Sequence, residues 1–321
     1  MRRRILIFLA LILLALGSVI VYSCFFRGYL YLWEIKSNGK TLYMLGTIHA
    51  FKQELYEKID QKIIDAFNKS DILLTESADS RSKRWMLPLG DSLSNYITEE
   101  YYQKLDELLK KHELFIDEYS PYRPYYFLRR ILNISTEIYG WDGYFRNGID
   151  IFFVNKYYYE NIHHKWSKYG LEKHDYFAVY LEENLSKEEL GYHIYHFARR
   201  YFEEGLFMKE SCESLMKAWL NGSFDEWTDE SYIANIARLD SDPEVNKDLE
   251  FIISSKLDLI HEKRNFYMAD TIEEFLYGDE YDIIFAMAGV LHFTGENNII
   301  EILEKKGYRA KRIKKSLVLP F

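Results

Sequence analysis

The chain has 321 residues, 48% of them hydrophobic and 28% charged, with a formal net charge of −9. That is ample apolar material for a buried core, on a surface too acidic for a dedicated nucleic-acid binder, which needs positive charge to neutralise phosphates. Only 5 Pro and 16 Gly exclude a collagen-like or long-linker protein, and 2 Cys exclude a disulfide framework or a Cys-rich zinc site.

Residues 5–26, ILIFLALILLALGSVIVYSCFF, carry no charge. At about 1.5 Å per residue a helix of that length reaches roughly 33 Å, enough to cross a hydrocarbon core of about 30 Å. Arg2, Arg3 and Arg4 precede it, so the positive-inside rule keeps the N-terminus in the cytoplasm and sends everything after Arg27 across the membrane. Two outcomes remain open: an uncleaved transmembrane signal anchor, or a lipoprotein signal, since Val21-Tyr22-Ser23-Cys24 resembles a loose bacterial lipobox with Cys24 as the lipidated residue. Residues 1–27 are read as this membrane anchor or lipoprotein signal and residues 28–321 as one extracytoplasmic domain. Cys212 then lacks an obvious partner and reads as a free, buried thiol.

The domain opens with a hairpin: Tyr29 to Ile35, a turn at Ser37-Asn38-Gly39-Lys40, then Thr41 to Ile48. Asn-Gly between two apolar runs is the strongest short-range hairpin signal. A helix over Glu54 to Lys69 and a short strand from Asp71 to Thr75, ending at Glu76, come next. Residues 98 to 280 are mostly helical by periodicity, interrupted where Gly140, Gly143 and Gly148 fall close together; Ile149-Asp150 then opens a new helix. An extended piece around Lys168 to Glu172 and a long helical pattern from Asp248 to Leu276 follow. Tyr281 to Met287 is an apolar run suited to a buried strand, leading through Gly289-Val290-Leu291-His292 to a helix from Gly295 to Lys306 and a last strand at Tyr308 to Ile313. Strands alternating with helices at both ends predict an α/β (α+β) fold, with a central mixed, partly parallel sheet and a large helical insertion.

Gly46-Thr47-Ile48-His49 and Gly289-Val290-Leu291-His292 each end an apolar strand, and Glu76 ends a third. Ligands of open α/β sheets bind outside the carboxyl ends of the strands. If the three strands are parallel neighbours, His49, Glu76 and His292 meet there as two imidazoles and a carboxylate, a common first shell for a divalent metal with positions left for water and substrate. A single Gly-x-x-His is more often a structural turn; the pairing at matching strand ends is what raises the chemical reading.

The paired Gly-x-x-His motifs, the Leu-Leu-Thr-Glu ending at Glu76, and the C-terminal block AMAGVLHFTGENNIIEILEKKGYRAKRI resemble the TraB/GumN family, which includes pheromone-shutdown proteins and the animal Tiki metalloproteases. Arg264-Asn265-x-x-Met268-Ala269 is similar to the family's Arg-Asn-x-x-Met-Ala helix, and Gly148-Ile149-Asp150 and Leu171-Glu172 to its central elements. The likeness runs from about residue 31 to 313, in the family's order.

The resemblance implies that His49 and His292 are metal ligands, and that Glu76 is a ligand or the catalytic carboxylate. Arg264 would be catalytic, stabilising an oxyanion or clamping a substrate carboxylate. Asn265 and Glu172 would contact substrate. Alternatives stand beside each: a capping or loop carboxylate for Glu76, a surface ion pair for Arg264, and a helix-opening role for Asp150 rather than chemistry. The chain departs from the family around residues 163–172, which weakens Glu172. His163-His164 reads as a surface pair, because neighbouring side chains diverge. His193 and His196 share a helix face but lack the His-Glu-x-x-His pattern, so a structural or solvated role is expected. The basic run Lys305, Lys306, Arg309, Lys311, Arg312, Lys314 and Lys315 reads as a solvated face, with anionic lipid headgroups as the alternative.

The expectation is a membrane-tethered metal-dependent hydrolase, a peptidase acting on a peptide or protein outside the cytoplasm. Its divalent cofactor is Zn, Mn, Co or Fe, and no nucleic-acid partner is expected. The alternative is a non-catalytic module that sequesters a peptide or small ligand in the same crevice.

Overall fold

A computed structural model describes residues 28–77, 85–141, 143–159, 168–172, 182–203, 205–223 and 258–316. The N-terminal apolar segment, His163-His164, and residues 248–257 of the expected long helix lie outside them. No helix among the described residues is long and apolar enough to cross a membrane.

The centre is a six-stranded mixed sheet among the described residues. Strands β1 (Tyr29–Ser37) and β2 (Lys40–Thr47) form the hairpin, turning through Asn38 and Gly39 at φ values of 52° and 79°. Positive φ at both central residues is what an Asn-Gly turn supplies with least strain. Strands β3 (Ile72–Ser77), β4 (Lys168–Glu172), β5 (Ile283–Gly289) and β6 (Ala310–Lys314) complete the order β4-β3-β5-β2-β1-β6. The four strands β4, β3, β5 and β2 run parallel, while β1 is antiparallel to both β2 and β6. β5 is central and covered on both faces, which explains its unbroken apolar run from Ile284 to Ala288.

The helix expected over Glu54 to Lys69 is two pieces. A 3₁₀ turn covers Gln53–Lys58, and helix α1 spans Gln61–Lys69. Asp60 adopts an extended ψ of 132° and its carboxylate accepts from the Lys62 backbone N–H, a first-turn donor that a fresh helix start leaves without a carbonyl four residues back. α1 buries Ile63, Ala66 and Phe67 against the sheet, where Phe67 meets the Phe285 ring edge-on at 5.4 Å.

Helices α2 (Glu99–Lys110), α3 (Pro124–Ile138) and α5 (Lys187–Glu203) enclose a second apolar cluster including Leu105, Phe127, Ile131 and Ile194. His193 and His196 lie buried on α5, so theirs is the structural role and not the solvated one. Between α3 and α5 in sequence, helix α4 (Ile149–Tyr159) packs Phe153 into the sheet core.

Helix α6 (Gly205–Asn221) adds Trp219, whose indole N–H donates to the Gly46 carbonyl at 2.7 Å. Helix α7 (Asp258–Tyr277) precedes β5. The last helix, α8 (Ile299–Lys305), starts later than expected because Asn298 is its cap, accepting from Glu301 N at 3.0 Å; Val290–Phe293 ahead of it form a 3₁₀ turn.

Candidate functional site

The parallel strands bring their carboxyl ends to one edge. Thr47 is level with Gly289 across β2 and β5, and Glu172 with Ser77 across β4 and β3. His49 lies two residues beyond β2, His292 three beyond β5, Glu76 at the end of β3 and Glu172 at the end of β4. Helix α7 crosses the same edge with Arg264 and Asn265. All six residues singled out from the sequence therefore belong to one cluster.

Glu76 is its centre. Its Oε1 accepts from an Arg264 Nη at 2.5 Å and its Oε2 from the Gly289 backbone N–H at 2.9 Å. Arg264 also donates from Nε to Glu172 at 2.6 Å. Only 12% of the Arg264 side chain is exposed, so this is an interior bridge rather than a surface ion pair. Burial works to raise the pKa of Glu76, but the guanidinium and the two imidazoles outweigh it and hold the carboxyl well below its ordinary range. Glu172 is more deeply buried; desolvation dominates there and pushes its pKa up despite Arg264.

The two histidines point the same nitrogen inward. His49 Nδ1 faces Asp150 Oδ2 at 3.2 Å, leaving Nε2 at 3.9 Å from Glu76 Oε2. His292 Nδ1 lies 2.6 Å from Asn265 Oδ1, leaving Nε2 at 3.7 Å from Glu76 Oε1. Asn265 Nδ2 donates to the Asn297 carbonyl at 3.0 Å, so its Oδ1 accepts and the His292 proton resides on Nδ1.

The environments of the rings differ. Asp150 raises the pKa of His49, whose ring is 57% exposed, to about 9. Burial lowers the pKa of His292, keeping it neutral at neutral pH. A neutral Nε2 and a carboxylate oxygen are both acceptors, and two acceptors 3.7 Å apart need a proton or a cation between them.

Asp150 was expected only to open a helix. It does stand in the first turn of α4, but it also anchors His49. Gly148 permits this: a Cβ there would lie 2.6 Å from the His49 carbonyl oxygen and 2.4 Å from Asp150 Oδ1. The Ile149 N–H donates to the Ile48 carbonyl at 2.9 Å, tying the start of α4 to the end of β2. Proximity of Gly148 to Asp150 in sequence was the available signal.

His261 was not anticipated at all. It stacks on His292 with ring centroids 4.2 Å apart, and burial forces its pKa down to about 2. Its spacing to Arg264 and Asn265, one helical turn away, was the clue.

These residues match a divalent metal in chemistry: two imidazoles aimed by partners on their far nitrogens, with a carboxylate between them, is the usual outer-shell pattern of metal-binding histidine. Ligands about 2.1 Å from a tetrahedral zinc lie about 3.4 Å apart, close to the 3.7 and 3.9 Å observed here. As they stand, no three His, Cys, Asp or Glu side chains among the described residues close into a metal-holding group, and both Glu76 oxygens are already hydrogen-bonded.

The sequence profile described as the TraB/PrgY/gumN family matches residues 31–312. No curated protein and no solved structure matches the chain.

Proposed function

The chain belongs to the TraB/PrgY/gumN family, and on that footing we propose that it is a membrane-tethered, metal-dependent hydrolase that cuts peptide bonds outside the cytoplasm. The observation that carries the reading is the pair of imidazole Nε2 atoms bracketing the Glu76 carboxylate at 3.7 and 3.9 Å.

His49 and His292 would hold the ion through Nε2, with Glu76 as third ligand or as general base. Zn, Mn, Co or Fe suits such a donor set. A bound divalent metal supplies an acidified water and polarises the scissile carbonyl. Around it, the protein's own groups have defined tasks. Asp150 holds the Nδ1 proton of His49, and Asn265 that of His292, so Nε2 is the nitrogen each ring turns inward; a bound ion would replace the Nε2 proton that His49 carries without it. Arg264 fixes Glu76 and keeps it ionised, which is a positioning task, since Glu76 and Glu172 already take its Nε and one Nη. Glu172 stays beneath Arg264, 5% exposed, and holds the guanidinium in place through Nε.

A second reading has its own support. Both Glu76 oxygens already accept hydrogen bonds from the protein, an arrangement that suits a module that captures a peptide without cleaving it.

The test is titration of the full chain with Zn and Mn beside His49→Ala/His292→Ala, followed by a peptide-library digest. One metal per chain, lost in the double variant, with many turnovers per protein is the expected result. Cleavage and metal binding that both survive the double substitution would sink the assignment. Saturation at one peptide per chain without products would favour capture.

A further inference from the structure

We propose that the candidate site faces the bilayer that tethers the chain, docked on anionic headgroups, so that its substrates are polypeptide segments attached to that same membrane. This rests on the tethering part of the function proposed above.

The first ground is topology. Because β1 runs antiparallel to β2, Tyr29 begins on the edge opposite the Asn38-Gly39 turn, the edge where β2 ends and His49 follows. From the Leu32–Leu45 pair, Gly28 and His49 are each four residues onward, about 13 Å in the same direction at 3.3 Å per residue. The uncharged stretch ends at Phe26, two residues before Gly28, and two residues span at most about 7 Å. So short a connection brings the site edge of the sheet, not the hairpin edge, to the membrane surface.

Charge is the second ground. The protein is acidic overall, at −9, yet an open hollow of about 760 Å³ beside the chain entry is lined by Tyr29, Lys62, Lys311, Arg312, Ile313 and Lys314. It is built into the fold at that edge. Lys314 pairs with Tyr29 and its ammonium lies over the Tyr29 ring, 5.6 Å from the centroid. Lys62, in the first turn of α1, donates to the Lys314 carbonyl at 2.7 Å, while Asp60 receives the Ser316 N–H at 2.6 Å and clamps the end of β6 there. Four cations lining one hollow, two of them over the Tyr29 ring, suit lipid phosphates.

The test uses the full chain with a fluorophore attached through a genetically encoded azide-bearing residue in place of Gln53 or of Asp279, and vesicles carrying a headgroup acceptor, with or without phosphatidylglycerol. Gln53 is exposed at the start of the 3₁₀ turn that follows His49, and Asp279 is exposed ahead of β5 on the opposite edge; the seven residues of β5 separate the two edges by roughly 23 Å. Energy transfer is expected to be several-fold stronger from position 53. The gap should shrink in Lys311→Glu/Lys314→Glu and without phosphatidylglycerol.

Equal transfer from both positions, or stronger transfer from position 279, overturns the orientation while leaving the tether intact. A gap indifferent to both charge changes overturns the headgroup contact. A chain that does not float with vesicles overturns tether and orientation together. None of these readouts depends on hydrolysis, so failure of the catalytic reading is seen separately.

Discussion

A single carboxylate, Asp150, sets the state of His49. At 3.2 Å from Nδ1 it stabilises the imidazolium and raises the pKa to about 9. In Asp150→Asn the metal-free ring should titrate near the ordinary 6.5, followed by the histidine NMR signals against pH. Metal affinity should fall about 10- to 100-fold, as for other lost outer-shell partners. An unchanged titration would remove Asp150 from the site. His292 owes its neutrality to the opposite cause, burial, with Asn265 as an uncharged anchor.

Helix α5 buries His193 at 5% exposure, with Nδ1 lacking a hydrogen-bond partner among the described residues. Burial, then the neighbouring His196, lowers its pKa from 6.5 to about 4. Between those values the unfolded chain binds the proton and the folded chain does not, so stability is full above about 6.5 and declines as pH falls toward 4. The loss is on the order of 3 kcal/mol by about pH 4. Thermal unfolding between pH 7 and 4 should show a steeper decline for the native chain than for His193→Leu; parallel curves would refute the assignment.

At this same scale, elements with a strong local signal were legible. The Asn-Gly hairpin is decided by two residues, and the edge strand Lys168–Glu172 falls where the extended piece was expected. The break at Asp60 was missed because an apolar helical period continues across it, while the cap that interrupts it depends on how the chain approaches the sheet.

The described residues form two separate apolar clusters, one on the sheet and one among α2, α3 and α5. The catalytic candidates all lie at the strand ends of the sheet that the first cluster packs against. Phe127, fully buried in the second, should cost about 3–5 kcal/mol on truncation to Ala. Below the lowered melting temperature the variant should retain the parent's metal stoichiometry, measured by titration; loss of the metal in a folded variant would show that the clusters are coupled.

Within residues 31–312 the sequence by itself determined the family, the alternation of strands and helices, and the residue types at each strand end, because motif order and hydrophobic period are properties of neighbours along the chain. It also contained His49, Glu76, Glu172, Arg264, Asn265 and His292 as candidates. Only the tertiary structure decided that Arg264 bridges Glu76 and Glu172, that Asp150 holds His49, and that His261 lies against His292. Those contacts join residues from about 30 to nearly 190 positions apart. Their geometry follows from parallel strand order and from a glycine at position 148 that lets two backbones approach, which no local pattern encodes.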